Sequence, residues 1–187
     1  MKLLKIVVVA ALIGCFIGCG SGKSTTFEDI DNLENMVYSK AFTIEAEWAI
    51  PMTTGSLTTI AGSGLLPIGS TINRINIQGQ YNHLTVKGDS VSAYLPYYGE
   101  RQMGGGYNSA QGVQFNGLAK DYSVVKNEKK NSQTVSFQVN NKTETYQVTA
   151  TLYPNRVGQI LVNSSQRFAI RYEGTITEIK EEGEEIQ

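Results

Sequence analysis

The second half of the chain alternates apolar and polar residues with a period of two, in run after run separated by turn residues. Val135, Phe137 and Val139 share one side of a run, and Tyr146, Val148, Ala150 and Leu152 share one side of the next, with Asn140-Asn141-Lys142 between them. Pro154-Asn155-Arg156 ends that run. Ile160 with Val162, then Phe168, Ile170 and Tyr172, then Ile176 continue the series, with Ser164 and Ser165 at the last turn. Such a segment buries one face only as a β-strand, because a helix would scatter the same residues round its circumference. The chain is thereby constrained to antiparallel sheet.

Earlier segments extend the pattern. Phe42, Ile44, Ala46 and Trp48 fall on one face of a strand over 41–48, with Thr43, Glu45 and Glu47 on the other. His83 to Lys87 and Ser90 to Leu95 flank Gly88-Asp89, a hairpin signature. Ile72 to Ile77, Val113 to Asn116 and Asp121 to Glu128 predict further strands, with a hairpin tip at Lys129-Lys130-Asn131-Ser132. From Phe27 to about Ser39, Phe27, Ile30, Leu33 and Val37 recur at three or four, which predicts one amphipathic helix capped by Thr26 and Asp29. Between 49 and 70 the glycines and prolines leave at most a short strand around Leu57 to Ile60 in a long connection. About eight or nine short strands joined mostly by tight turns predict a mainly β fold, an up-and-down meander closed as a lipocalin-like barrel behind one N-terminal helix. A two-layer β-sandwich satisfies the alternation as well.

The 187 residues are enough for one such domain and too few for two ordinary ones. The N-terminus has a different character. Met1 to Lys5 is basic, and Ile6 to Ile17 is an apolar run too short to span a bilayer core of about 30 Å comfortably. It closes on Gly-Cys twice, at Gly14-Cys15 and Gly18-Cys19, and both resemble the lipobox of a bacterial lipoprotein precursor. Cys19 is the preferred lipidation site, because Gly20 to Thr26 reads as a polar tether, whereas Cys15 would leave Phe16 and Ile17 on the mature end. Leu12 suits the lipobox better than Phe16 does, which keeps Cys15 as the alternative. The chain holds two cysteines, both here, so the domain needs no disulfide. The expected organisation is a signal peptide over 1–18, lipidated cysteine and tether over 19–26, one β domain with its helix over 27–180, and an acidic tail over 181–187. The expected partner is the membrane, reached through the N-terminal lipid, and the expected location is the cell envelope, at the outer membrane.

Three other functional signals fail or stay weak. Gly18-Cys19-Gly20-Ser21-Gly22-Lys23-Ser24 imitates a phosphate loop, but Ile17 stands where its first glycine belongs, and a Ser/Thr-rich linker follows where the loop should open a helix. The 16 basic residues, less Lys2 and Lys5 of the signal, leave 14 against 17 acidic ones, an excess of about three negative charges that gives no reason to expect nucleic acid. His83 is the only histidine, too little for a zinc site or a recognisable triad, and no cofactor motif is visible.

Two stretches carry a resemblance to a family. Phe42-Thr43-Ile44-Glu45-Ala46-Glu47-Trp48-Ala49 and Gly88-Asp89-Ser90-Val91-Ser92-Ala93-Tyr94-Leu95-Pro96-Tyr97-Tyr98-Gly99, together with Tyr122 to Phe137, resemble Bacteroidota lipoproteins grouped as domain-of-unknown-function family 4251. The resemblance implies an exported, lipid-anchored protein of a gut or oral anaerobe type. It implies no reaction and no catalytic residues.

Glu45 and Glu47 stand two apart on one strand face, about 6 to 7 Å between side chains, the range of paired glycosidase carboxylates, but such a pair is ordinarily a solvated face. Lys126, Lys129 and Lys130 form a small basic tip, interrupted by Glu128. The most unusual composition is at Tyr94, Tyr97, Tyr98 and Tyr107, set among Gly99 and Gly104-Gly105-Gly106. Tyrosine offers an apolar face and a hydroxyl at little entropic cost, and glycine lets a backbone approach closely. Either these rings cap one end of the core, or Tyr97, Tyr98 and Tyr107 form a contact surface for an apolar or glycan ligand. The second reading makes the protein a non-enzymatic binding or accessory lipoprotein. The alternatives are a structural lipoprotein docking another envelope protein and, third, a hydrolase.

Overall fold

The computed structural model describes residues 25–103, 111–141 and 144–179. The expected signal peptide, Cys15, Cys19, Tyr107 and the tail from 181 lie outside the described residues.

The alternating runs form β1 (Ala41–Pro51), β2 (Ile75–Asn76), β3 (His83–Lys87), β4 (Ser90–Leu95), β5 (Val113–Leu118), β6 (Lys120–Asn127), β7 (Ser132–Asn141), β8 (Glu144–Leu152), β9 (Val157–Ser164) and β10 (Ile170–Glu178). One continuous antiparallel sheet runs β5-β4-β3-β1-β10-β9-β8-β7-β6, with β2 paired to β1 off this path. The sheet curls into a nearly closed barrel, so the sandwich alternative gives way. The first long strand pairs with the last, Phe42 opposite Glu178 and Pro51 opposite Ile170. The remaining seam falls between β5 and β6, which follow one another in the chain. Side chains bridge it. Phe115 of β5 packs against Phe137 of β7 and Tyr146 of β8, ring centroids 6.4 and 5.4 Å apart, and Asn141 Nδ2 donates to the Gln114 carbonyl.

Inward positions fill the barrel. Phe42, Ile44, Leu84, Phe137, Tyr146, Ile160 and Tyr172 are fully buried, as the alternation required of Phe137 and Tyr146. Each aliphatic or aromatic side chain moved from water to this interior contributes about 1.5 to 3 kcal/mol. The hairpin at Gly88-Asp89 forms as expected, with Gly88 at a φ of 59° that other residues rarely adopt.

Trp48 departs from the expectation. A β-bulge between Ala46 and Trp48 inserts Glu47 as an unpaired residue, and the alternation of β1 changes phase. Ala49 and Pro51 then point inward, while Trp48 turns outward under the Arg74 guanidinium, 4.3 Å from its ring centroid. The bulge depends on Gly174 opposite, where a Cβ would stand 1.8 Å from the Glu45 carbonyl oxygen.

The N-terminal helix α1 (Phe27–Tyr38) carries the expected capping box between Thr26 and Asp29. It buries Leu33, Met36 and Val37 against the barrel, whereas Phe27, 90% exposed in the first turn, lies clear of it. Lys126 of β6 reaches Glu34 on this helix, so it is no part of a free basic tip. A second helix, α2 (Gly55–Gly62), replaces the short strand expected at Leu57 to Ile60. The Thr54 side chain caps it by accepting from the Leu57 N–H at 3.3 Å, and a single inward residue, Leu57, anchors it. Of the strand expected over 72–77 only β2 forms. Helix α1 covers the barrel end at which β1 begins and β3 turns into β4. The opposite end, where β4 stops, β8 starts and β9 stops, is left to the segment after Leu95.

Candidate ligand-binding site

At that opposite end the chain leaves β4 through Pro96-Tyr97-Tyr98 and is fastened at several points. The Tyr172 hydroxyl, rising from the core, donates to the Pro96 carbonyl at 2.9 Å. The Tyr97 hydroxyl lies 2.9 Å from the Glu100 carbonyl and 3.1 Å from that of Phe168, and can donate to either. Gln102 N–H donates to the Gln166 carbonyl at 2.8 Å, and Arg101 and Arg167 form an antiparallel bridge. The loop after β4 is thus sewn to the turn between β9 and β10.

Beneath the stitch lies a buried ion-pair network. Glu144, the first residue of β8, receives Arg167 Nε at 2.8 Å and Nη2 at 3.1 Å, a two-pronged contact. Ser164 donates to Glu144 Oε1, and Arg101 Nη2 approaches Oε2 at 3.4 Å. Burial pushes the Glu144 carboxyl up, but the hydrogen bonds from Arg167, Ser164 and Tyr146 outweigh it and hold the group below the usual carboxylate range. Burial, reinforced by the Glu144 carboxylate, raises the Tyr146 phenol to about 12. The Arg167 guanidinium sits 5.1 Å from the Tyr97 ring centroid, so the same cation holds the carboxylate on one side and an aromatic face on the other.

Above this base opens a pocket of about 440 Å³. Tyr94, Tyr97 and Tyr98 supply its aromatic walls, with Pro96 between them. Gln80, Asn82, Gln111 and Gln114 supply amides, and no charged side chain is among the described lining residues. Asn82 is fully buried. Its Nδ2 donates to the Ile77 carbonyl at 2.7 Å, which fixes the amide, and its Oδ1 has no hydrogen-bond partner among the described residues. Burial raises the phenol pKa of Tyr98, and that of Tyr97 as well, against the pull of Arg167.

A family profile described as Domain of unknown function (DUF4251) matches residues 25–176. The chain belongs to the DUF4251 family. The crystal structure of a DUF4251 family protein from Bacteroides eggerthii DSM 20697, at 1.95 Å resolution, is similar to it with a TM-score of 0.55 and 12% sequence identity, over 81% of this chain and 88% of that one. At that identity the likeness speaks for the fold. No curated protein matches the chain.

In this DUF4251 domain the expected contact residues divide. Tyr97 and Tyr98 come together in the pocket wall, yet both also pack on the core, so capping and lining are two sides of the same rings. Tyr107 lies outside the described residues. Sequence reasoning misses Gln80, Asn82, Gln111 and Gln114 and leaves Tyr94 out of the contact surface, although Tyr94 and Gln114 occupy outward positions of alternating strands beside Tyr97. Glu45 is exposed on the outer face, while Glu47 accepts from Thr175 Oγ1 at 2.7 Å and Gln78 Nε2 at 3.1 Å. His83 opens β3 with its ring against Tyr81.

Proposed function

We propose that this chain is a lipid-anchored, non-enzymatic glycan-binding protein of the cell envelope, held at the outer membrane through Cys19 or, in the alternative, Cys15. The observation that carries the reading is the uncharged pocket of three phenol rings and four amides. Its volume suits a small ligand. An apolar ligand would strand the amides, at about 1 to 3 kcal/mol for each buried group left unpaired. A charged ligand would meet no counter-charge among the described lining residues, because Arg101 and Arg167 are turned onto Glu144. Sugar hydroxyls satisfy amides as both donors and acceptors, and the C–H faces of a sugar ring lie well on phenol rings. The interior of the barrel is filled by side chains, so the ligand sits at its rim. The non-enzymatic part of the reading rests on the sequence, where no nucleophile motif accompanies the single histidine.

The test is an array of neutral and charged glycans probed with the full chain in detergent. Neutral glycans should bind, and Tyr98→Ala and Gln114→Ala should each weaken binding about tenfold. Metabolic labelling with a palmitate analogue should be lost in Cys19→Ala and kept in Cys15→Ala. A blank array overturns the ligand, and labelling that survives replacement of both cysteines overturns the anchor. Leu65 and Ile68, 75% and 96% exposed after α2, favour a second reading, docking of another envelope protein. In that case a photo-crosslinker in place of Ile68 captures one protein in the native host while the array stays blank.

A further inference from the structure

Tyr94, in the wall of the pocket, also belongs to a row of residues that crosses the outer face of the sheet. Tyr94 stands directly opposite Gln114 of β5 on one side and His83 of β3 on the other, and His83 stands opposite Glu45 of β1. Residues directly opposite one another in an antiparallel ladder share a face. The neighbours Ile44, Leu84, Ala93 and Phe115 are buried in the core, so this row faces outward. The Tyr81 ring leans on His83, centroids 4.4 Å apart and planes tilted by 32°. Tyr81 is 66% exposed and Tyr94 51%, an unusual amount of aromatic surface left to water beside a partly covered histidine.

We infer that this row is an extended subsite, a platform of Tyr94, His83 and Tyr81 on which further rings of a neutral oligosaccharide lie after the first has entered the pocket. The inference rests on the glycan reading of the pocket and deepens it, from a sugar to a chain of sugars. With strands about 4.8 Å apart, the row from β5 to β1 is roughly 14 Å long, room for more than one ring. Tyr81 and Tyr94, each more than half exposed, leave apolar ring surface to solvent, which suits the C–H side of a sugar chain whose hydroxyls stay in water. Glu45 at the far end accepts from hydroxyls and repels an anion, so acidic oligosaccharides are disfavoured there just as they are at the uncharged pocket. Tyr81 and His83 hold one another in place before any ligand arrives, so little side-chain freedom is lost on binding.

The experiment is calorimetric titration of the full chain in detergent with ladders of malto-, cello-, manno- and xylo-oligosaccharides, each from monosaccharide to hexasaccharide, and with an oligogalacturonide ladder as the acidic counterpart. In at least one neutral ladder the affinity should climb with length by about tenfold or more before levelling off. Tyr81→Ala should remove that climb while leaving the shortest binding ligand unaffected, and Tyr81→Trp should restore it. Binding that is independent of length and lost in Tyr98→Ala keeps the pocket and overturns the platform. The platform is likewise overturned if Tyr81→Ala leaves the climb intact, or if the galacturonides bind better than the neutral chains. Silence in every ladder overturns platform and pocket together.

Discussion

Glu144 is where a single residue carries most in this protein. It is the counter-charge of an almost fully buried guanidinium, that of Arg167, and removing one member of such a pair leaves the other's charge buried without its compensation. Glu144→Gln should therefore destabilise the fold by about 3 to 5 kcal/mol, read by urea denaturation at neutral pH. The pH dependence has a definite sign. The folded carboxyl titrates below its ordinary value, so its stabilisation is complete above that value and is lost as pH falls through the folded one. The midpoint of the native protein should fall on acidification through this window, and fall less steeply in Glu144→Gln. Parallel slopes would assign the acid sensitivity to other carboxylates. Nothing in the sequence singles out Glu144, because its partner lies 23 residues away and the pair becomes visible only once β8 and the β9–β10 turn meet.

At the scale of elements, legibility follows locality. The strands β7, β8 and β9 are plain in the sequence because their alternation is uninterrupted and their turns are short. Trp48 escapes the pattern because a bulge is a property of two paired strands, and the glycine that permits it lies on β10, far along the chain. Helix α2 is hidden because Thr58, Thr59 and Ile60 favour strands on their own, and the cap at Thr54 with the burial of Leu57 decides otherwise. Of the candidate site, the Tyr97-Tyr98 wall is legible from composition, while the amides, drawn from two separate stretches, are not. The loop that carries that wall is itself a braced element, which yields a graded expectation. Tyr97→Phe, losing the hydroxyl bond to the Glu100 or Phe168 carbonyl, should cost about 1 kcal/mol. Tyr97→Ala, which also vacates the ring beside Arg167, should cost about 3 kcal/mol, whereas Tyr94→Ala should stay near 0.5 kcal/mol. Equal midpoints for Tyr97→Ala and Tyr94→Ala would mean that the loop is not braced by this ring.

For the whole molecule the informative feature is the position of the seam. The hydrogen-bonded junction joins strands from the two ends of the chain, β1 and β10, and the unpaired one separates β5 from β6, neighbours in sequence. Pairing Phe42 with Glu178 requires the longest loop closure in the molecule, and folds dominated by such distant contacts assemble slowly. Taken as a ring, however, the strand order is simply the chain order, β6 through β10 followed by β1, β3, β4 and β5. The barrel is therefore a circular permutation of an open meander in which every strand lies beside its predecessor. Ile179 N–H bonds the Ala41 carbonyl at 3.0 Å, so the start of the first strand and the end of the last already touch. A chain rejoined there by a flexible linker around α1 and opened at Ala119 should keep the β-rich spectrum and refold faster in stopped-flow measurements, since its slowest closure becomes a local one. If it refolds more slowly, the rate is set by something other than the meeting of the first strand with the last.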